Sequence, residues 1–351
     1  MFFALRDLRS ARWRFVLITG VVLLLSVLVA GLLGLTAGLA NQSVSALRAL
    51  GASDASFIVP ADDKGPVDLD RAALTDEQVA DVRAMSPAAV PVGIARVNLD
   101  NGTETGVSVV ALGLAGPVGS VTPPAPGEVL LSTGVGEELA ATVDRVGVSG
   151  DQLGVAGEAG DLWHSHTPVV VTDLGTWNQL APRGGTATAL AVPTGTTIQE
   201  AVVQDAGLAL VDPDGLVNAL PSHRAENTSL STMTYMLIAV TALVVGAFFT
   251  VWGMQRRRDV AILKALGAST WAVVRDSVGQ AAIVLIVGIT GGVAIAALFG
   301  LVAGGAIPFV VSAGTTVLPA ALLAVLGLAG AAISLRPVVT ADPNAALGAA
   351  R

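Results

Sequence analysis

Apolar positions along the chain gather into four long runs, 15–40, 230–252, 277–303 and 314–335. Each reaches or exceeds the ~20 residues a helix needs to cross ~30 Å of hydrocarbon, which predicts four spanning helices. The segment between the first two runs, 41–228, follows a different pattern. Thr75-Asp-Glu-Gln78 has capping-box spacing and opens a helix from Asp76 to about Met85, which Ser86-Pro87 should end. Short β-rich runs follow at 106–112, 128–131, 168–172 and 187–192, with helical patterns at 136–143, 173–181 and 197–205. The proline- and glycine-rich stretches 123–127 and 182–186 read as loops. The expected fold is an α-helical membrane protein of four transmembrane helices, with a large mixed α/β extracytoplasmic domain between the first and the second.

Charge orients this arrangement. Of the 27 acidic residues 23 lie in 41–228, which holds only 8 of the 19 basic ones. Arg6, Arg9, Arg12 and Arg14 precede the first run, Arg256 to Arg258 and Lys264 follow the second, and Arg336 follows the fourth. By the positive-inside rule both termini and the segment 254–276 face the cytoplasm of a multi-pass cell-membrane protein. The resulting order is an amphipathic N-terminus (1–14), span 15–40, external domain 41–228, span 229–253, cytoplasmic segment 254–276, span 277–303, external loop 304–313, span 314–335 and cytoplasmic tail 336–351. Trp13 and Trp252 would form an inner aromatic belt. The first run is too long for the core of a cleaved signal peptide. A net charge of −8, concentrated in the external domain, argues against nucleic acid as a partner.

Catalytic signals are weak. The lysines, Lys64 and Lys264, do not complete a Gly-Lys-Ser/Thr phosphate loop. Gly134-Val-Gly136 opens like a dinucleotide fingerprint, but Leu139 stands at the third glycine position. With no cysteine the chain has no disulfide, thiolate metal site or cysteine nucleophile. His164 and His166 flank Ser165, and in a strand both imidazoles would share a face, half of a metal site that no neighbouring motif completes; turn or surface histidines are the simpler reading. His223 precedes the second span as an interfacial polar residue. No enzymatic activity and no permanently bound cofactor are expected.

The sharpest feature is 255–267, Gln-Arg-Arg-Arg-Asp-Val-Ala-Ile-Leu-Lys-Ala-Leu-Gly. Val260, Leu263 and the stem of Lys264 make one helical packing face, while Arg257 and Arg258 stay solvated or meet lipid headgroups. Gly267 suits a helix C-cap and Ser269 the N-cap of the next helix. A basic anchor alone would not require an apolar stripe inside the segment.

Arg257 to Ser269, with Asp259 where glutamate is frequent, resembles the coupling segment of the MacB/FtsX-like permease family of ABC transporters. The segments 127–132 and 168–173 resemble strands of that family's external domain, and 342–347 its C-terminal tail. The resemblance implies a permease without ATP-binding motifs. Two copies would bind two cytoplasmic ATPase subunits, which hold ATP and magnesium, through Arg257, Arg258, Asp259, Val260, Leu263, Lys264 and Gly267. Trp13 to Ile18, Leu23 to Val27 and Gly38 to Ser45 are similar to the HrtB-type branch, which implies haem as the transported ligand.

At the outer end of the second run Glu226, Met233, Tyr235 and Met236 offer carboxylate, thioether and phenol groups suited to haem, with Phe57 a further aromatic candidate. Glu226 and Met233 share a helical face, whereas Met236 lies about 60° away and Tyr235 points elsewhere, so one helix does not serve one planar ligand with all four. An interfacial tyrosine and lipid-facing methionines remain the plainer alternative. Gly34-x-x-x-Gly38 and Gly288-x-x-x-Gly292 have the spacing of closely packed membrane helices. Two other functions stay open: an FtsX-like mechanotransmitter acting on an external cell-wall hydrolase, and export of peptide, antibiotic or lipoprotein-like cargo.

Overall fold

The computed structural model describes residues 12–53, 55–62, 65–100, 106–139, 144–148, 151–180, 185–196, 198–265, 267–303 and 307–339, without the side chains of 12, 14, 201, 256–265 and 334–339. Expectations for Arg6, Arg9, Lys64, the loop residues 182–184 and the tail 342–347 lie outside the described residues. The side chains of Arg12, Arg14, Arg336 and Arg256 to Lys264 lie outside them as well. Among the described residues four helices are long and apolar enough to cross a membrane, and a large mixed α/β domain stands between the first and the rest, as the hydropathy pattern requires. Helix α1, Arg12–Leu50, is continuous past its apolar run. Its residues up to Gly38 belong to a membrane unit, and those from Leu39 to a domain unit that ends at Thr228.

In the domain, β1 (Ser56–Asp62), β2 (Gly65–Pro66) and α2 (Asp76–Met85) come first. The capping box of α2 forms in both directions, Thr75 Oγ1 accepting from Gln78 N–H and Gln78 Oε1 from Thr75 N–H, and Ser86 ends the helix. Next are β3 (Val90–Asp100), β4 (Val107–Leu114), β5 (Glu128–Ser132), α3 (Thr133–Leu139), β6 (Arg145–Val148) and β7 (Asp151–Gly160). They are followed by β8 (Trp163–His164), β9 (Thr167–Asp173), α4 (Leu174–Leu180), β10 (Ala189–Val192), α5 (Glu200–Asp205), β11 (Leu208–Val211) and α6 (Pro213–Asn218).

The long strand β3 organises the sheet. One edge pairs with β4 throughout, while the other pairs with β10 near Val92 and with β6 at Leu99. The β3–β6 pairing closes β3, β4, β9, β5, β7 and β6 into a ring, from which β10, β1 and β11 extend. Alternation along the strands sorts their apolar residues by face. Leu99, Val109, Val129, Val146, Leu153 and Val170 share one core with α3 and α4. Gly93 and Gly113, paired across β3 and β4, leave the bay filled by the Trp177 ring, and a Cβ at either glycine would overlap it. On the opposite face Ile94, Val110, Leu112 and Val171 pack with Val44, Leu47 and Leu50 of α1. The apolar spacing of these α1 residues thus anchors the helix end in the domain core. Phe57 belongs to this core and is fully buried. On β1 its ring faces the interior of the domain.

The membrane unit contains α7 (Pro221–Ala265, from Ser229 onward), α8 (Thr270–Ala303) and α9 (Ala313–Val339) beside α1. The second apolar run and the basic segment after it form one uninterrupted helix. Gly267, at φ +94°, takes the left-handed conformation of a C-cap, and Ser269 Oγ accepts from Ala272 N–H to cap α8. Trp252 departs from the aromatic-belt expectation. It is 7% exposed and meets Phe15 and Phe249 edge-on, with centroids 6.2 and 5.9 Å away, whereas Trp13 is 79% exposed.

The two glycine motifs do different work. Gly288 and Gly292 let α8 meet α1 at backbone distance, since a Cβ on Gly292 would lie 2.5 Å from the Leu23 carbonyl oxygen. Gly34 and Gly38 receive no helix. Added Cβ atoms there would strike the Phe309 ring and the Pro308 carbonyl, so this motif seats the segment 307–312 instead.

Candidate functional site

Tight apposition of polar groups occurs where the domain-side ends of α1 and α7 meet the β8–β9 hairpin. His164 pairs with Thr167, leaving Ser165 and His166 as a two-residue turn with φ of 47° and 59°. These angles match the twist a tight hairpin needs. They also replace the in-strand geometry in which both histidines would face one way. The turn docks on α1: Ser165 N–H donates to Ser43 O at 2.8 Å and His166 N–H to Gln42 O at 2.9 Å. Asn41 Nδ2 donates to Asp161 Oδ2 at 2.9 Å, and Ser45 Oγ accepts from Trp163 N–H at 2.8 Å. The polar run Asn41 to Ser45, read as part of a family resemblance, thus has a physical task.

Glu226, near the start of α7, completes the junction. Ser43 Oγ donates to Glu226 Oε2 at 2.9 Å, and His166 Nε2 lies 3.1 Å from both that oxygen and Ser43 Oγ. A nucleophile relay would need the hydroxyl to donate to one ring nitrogen while the acid binds the other. Here acid and hydroxyl share Nε2 and the hydroxyl donates to the acid, so the constellation joins elements rather than activating Ser43.

His223, one turn before Glu226 and ahead of the apolar run, is 6% exposed. Burial holds its pKa below the ordinary 6.5, Arg48 and His166 add to the lowering, and Glu226 opposes it. His164 is also buried, with Nε2 at 2.8 Å from Asp70 Oδ1. The two histidines flanking Ser165 therefore serve separate contacts. Among the described residues no cluster of three or more histidines, cysteines or carboxylates could hold a metal ion.

The cargo candidates divide. Met233, Tyr235 and Met236 are 54, 72 and 64% exposed on α7, while the Glu226 carboxylate is engaged by Ser43 and His166. In the membrane unit, Val22, Ser26, Thr241, Val245, Leu285 and Ile289 border a cavity of about 10 Å³. Ligand pockets are roughly 300–1,000 Å³, so a porphyrin does not fit there. Of the coupling candidates Gly267 is described in full. Arg257, Arg258, Asp259, Val260, Leu263 and Lys264 lie on the helical backbone of α7, their side chains outside the described residues.

Residues 231–343 match the FtsX-like permease C-terminal family. The match covers most of α7 and all of α8 and α9. A Staphylococcus epidermidis protein assigned the name hemin transport system permease protein HrtB is 25% identical over 142 residues, covering 40% of this chain and 41% of that relative. Its Staphylococcus haemolyticus namesake is 28% identical over 150 residues, 43% of each. The aligned part thus spans less than half the length of these relatives. The periplasmic region of MacB from Actinobacillus actinomycetemcomitans superposes on 50% of this chain and 95% of its own, at 10% identity and a TM-score of 0.35.

Proposed function

We propose that this chain is the permease subunit of an ABC-type efflux pump that exports haem from the membrane. The permease match at 231–343, joined to partial similarity with relatives named for hemin transport, is the observation that supports the reading. In it, both termini and the segment 254–276 are cytoplasmic and the 41–228 domain is extracytoplasmic. Two copies pair in the membrane, and two ATPase subunits dock on residues 257–267. Haem enters laterally between α1 and α7, where Tyr235, Met233 and Met236 offer iron ligands and an apolar wall. ATP binding does work only by favouring one arrangement of α1 and α7 over another.

The test is to copurify the chain with candidate ABC ATPases and record the spectrum after adding hemin. A haem absorbance band together with hemin-stimulated ATP hydrolysis is the expected result. ATPase binding with neither band nor stimulation would reject haem as the cargo. A second reading is favoured by the FtsX-like match at 231–343: a mechanotransmitter that acts on an external cell-wall hydrolase. It predicts tight binding of a cell-wall hydrolase to the acidic domain and indifference to hemin.

A further inference from the structure

We infer that Phe309 is a positioning residue, a wedge that fixes the outer half of α1 to the α8–α9 pair and confines relative motion to α7. For its consequence in transport this rests on the permease reading; the wedge itself does not.

The residues Gly288, Gly292, Ala296 and Gly300 recur every four positions along α8, and all are buried. Residues four apart line one side of a helix, so they form a stripe. The stripe runs parallel to α1. Gly288 meets Val22 and the Thr19 carbonyl, and Gly292 meets the Leu23 carbonyl and Ser26. At Gly300 the neighbour changes. Added Cβ atoms on Gly300 and on Gly34 would each overlap the Phe309 ring, which therefore lies between the two glycines.

The ring is held from several directions. Val310 N–H donates to the Gly34 carbonyl at 3.1 Å, and the Pro308 carbonyl presses on Gly38. Phe299 of α8 meets Phe309 edge-on at 6.3 Å and 82°. Thr315 Oγ1, in the first turn of α9, donates to the Val310 carbonyl at 2.9 Å. The segment 307–312 thus bonds to α1 on one side and to the start of α9 on the other.

The seams differ in kind. Gly327 receives Leu285 between α9 and α8, and a Cβ on Gly330 would lie 3.2 Å from Gly246 Cα between α9 and α7. Between α1 and α7 the ring contact is Phe15 with Trp252, near the end of the bundle opposite Phe309. Close-packed interfaces switch between discrete arrangements rather than stretch. α1 and α7 share an apolar core that holds Val22, Val29, Val245 and Phe249, and with α1 fixed to α8 by the wedge, opening of that seam falls to α7, which must also part from α9 at Gly246.

The absence of native cysteine permits spin labels at engineered cysteines in the full chain, reconstituted in lipid nanodiscs without ATPase. Leu28, Leu298, Val240 and Leu318 are exposed on α1, α8, α7 and α9. Pairs would be Leu28→Cys with Leu298→Cys, Leu28→Cys with Val240→Cys, and Leu298→Cys with Leu318→Cys as the control. Phe309→Ala should broaden and lengthen the α1–α8 distance distribution while leaving the control unchanged, and Phe309→Leu should restore most of the narrow distribution. Gly300→Leu, which evicts the ring from the α8 side, should reproduce the broadening. An unchanged α1–α8 distribution in both Phe309→Ala and Gly300→Leu overturns the wedge. Adding hemin to the unsubstituted wedge should shift the α1–α7 distance and leave α1–α8 fixed. A hemin-driven shift in α1–α8 would also overturn the proposal, whereas no hemin response, with broadening in Phe309→Ala, would sink the haem reading and leave the wedge standing.

Discussion

Ser43 and Glu226, 183 positions apart, meet through a hydrogen bond of 2.9 Å at the domain end of the two helices that border the 41–228 insertion. His166, from the hairpin between them in sequence, touches both at 3.1 Å. One helix therefore does not shift relative to the other within the domain unless this contact breaks.

Replacing Ser43 by alanine removes the hydroxyl from both partners, and a part-buried hydrogen bond is worth about 1 kcal/mol net. Because Glu226 and His166 still face each other, the Ser43→Ala and Glu226→Gln losses should be less than additive. Thermal unfolding of the two single variants and the double variant measures the coupling. Full additivity would mean that the three groups act independently.

Acid should weaken the same region. His223 has a folded pKa below 6.5, so as pH falls through 6.5 the unfolded chain takes up a proton that the folded chain resists. Stability attributable to His223 is therefore intact above 6.5 and falls below it, down to the folded pKa. The direction follows from burial and from Arg48 and His166, against which Glu226 works. His223→Gln should flatten the stability–pH curve in that window. An equal slope in the variant would assign the acid response to other groups.

The membrane half was legible because a bilayer demands long unbroken apolar runs, and those survive any tertiary detail. In the domain, the valine- and leucine-rich strands β4, β5, β9 and β10 announced themselves. The sequence Asp-Gln-Leu-Gly-Val-Ala-Gly-Glu-Ala-Gly of β7 did not, since glycine and acidic residues disfavour isolated strands and only pairing with β5 and β6 holds it extended. The polar junction was hidden for another reason: its members lie 60, 123 and 183 residues apart, so the fold alone brings them together. Its one local signal was the polar run Asn41 to Ser45 directly after an apolar span. For Gly34 and Gly38 the spacing announced close approach without naming a loop as the visitor.

Glycines of equal appearance should tolerate substitution unequally. A Cβ at Gly20 meets nothing within 4 Å, whereas at Gly292 it would lie 2.5 Å from a backbone oxygen of α1. Gly292→Leu should cost at least the ~1–3 kcal/mol of an overpacked core, seen as a lower melting temperature in detergent, while Gly20→Leu should be near neutral. Equal melting of the two variants would contradict the α1–α8 contact.

At the opposite end of α7, Gly267 sits at φ +94°, where a β-branched residue is strained. Gly267→Val should tilt the turn into α8 and, under the proposed docking, reduce hemin-stimulated ATPase activity without blocking membrane insertion. Leu263→Asp should do the same by placing a charge in the apolar stripe of 257–267. Normal stimulation in both variants would remove this segment from the drive.

The exposed group on α7 yields the last test. Tyr235 is two residues from Met233, about 160° around the helix, and one from Met236, about 100° away. A single helix therefore presents the phenol and Met233 to different neighbours, and a haem bound between paired copies would draw Tyr235 from one and a methionine from the other. Tyr235→Phe should weaken hemin binding by about tenfold, equivalent to about 1.4 kcal/mol, and alter the absorbance band if the phenol binds iron. Because the two ligands would come from different copies, a mixture of Tyr235→Phe and Met236→Ala chains should recover one intact site per mixed dimer. Each variant alone would have none. Recovery is the expected result in hemin titrations of the mixture, and binding equal to the average of the separate variants would place the residues on independent surfaces facing lipid.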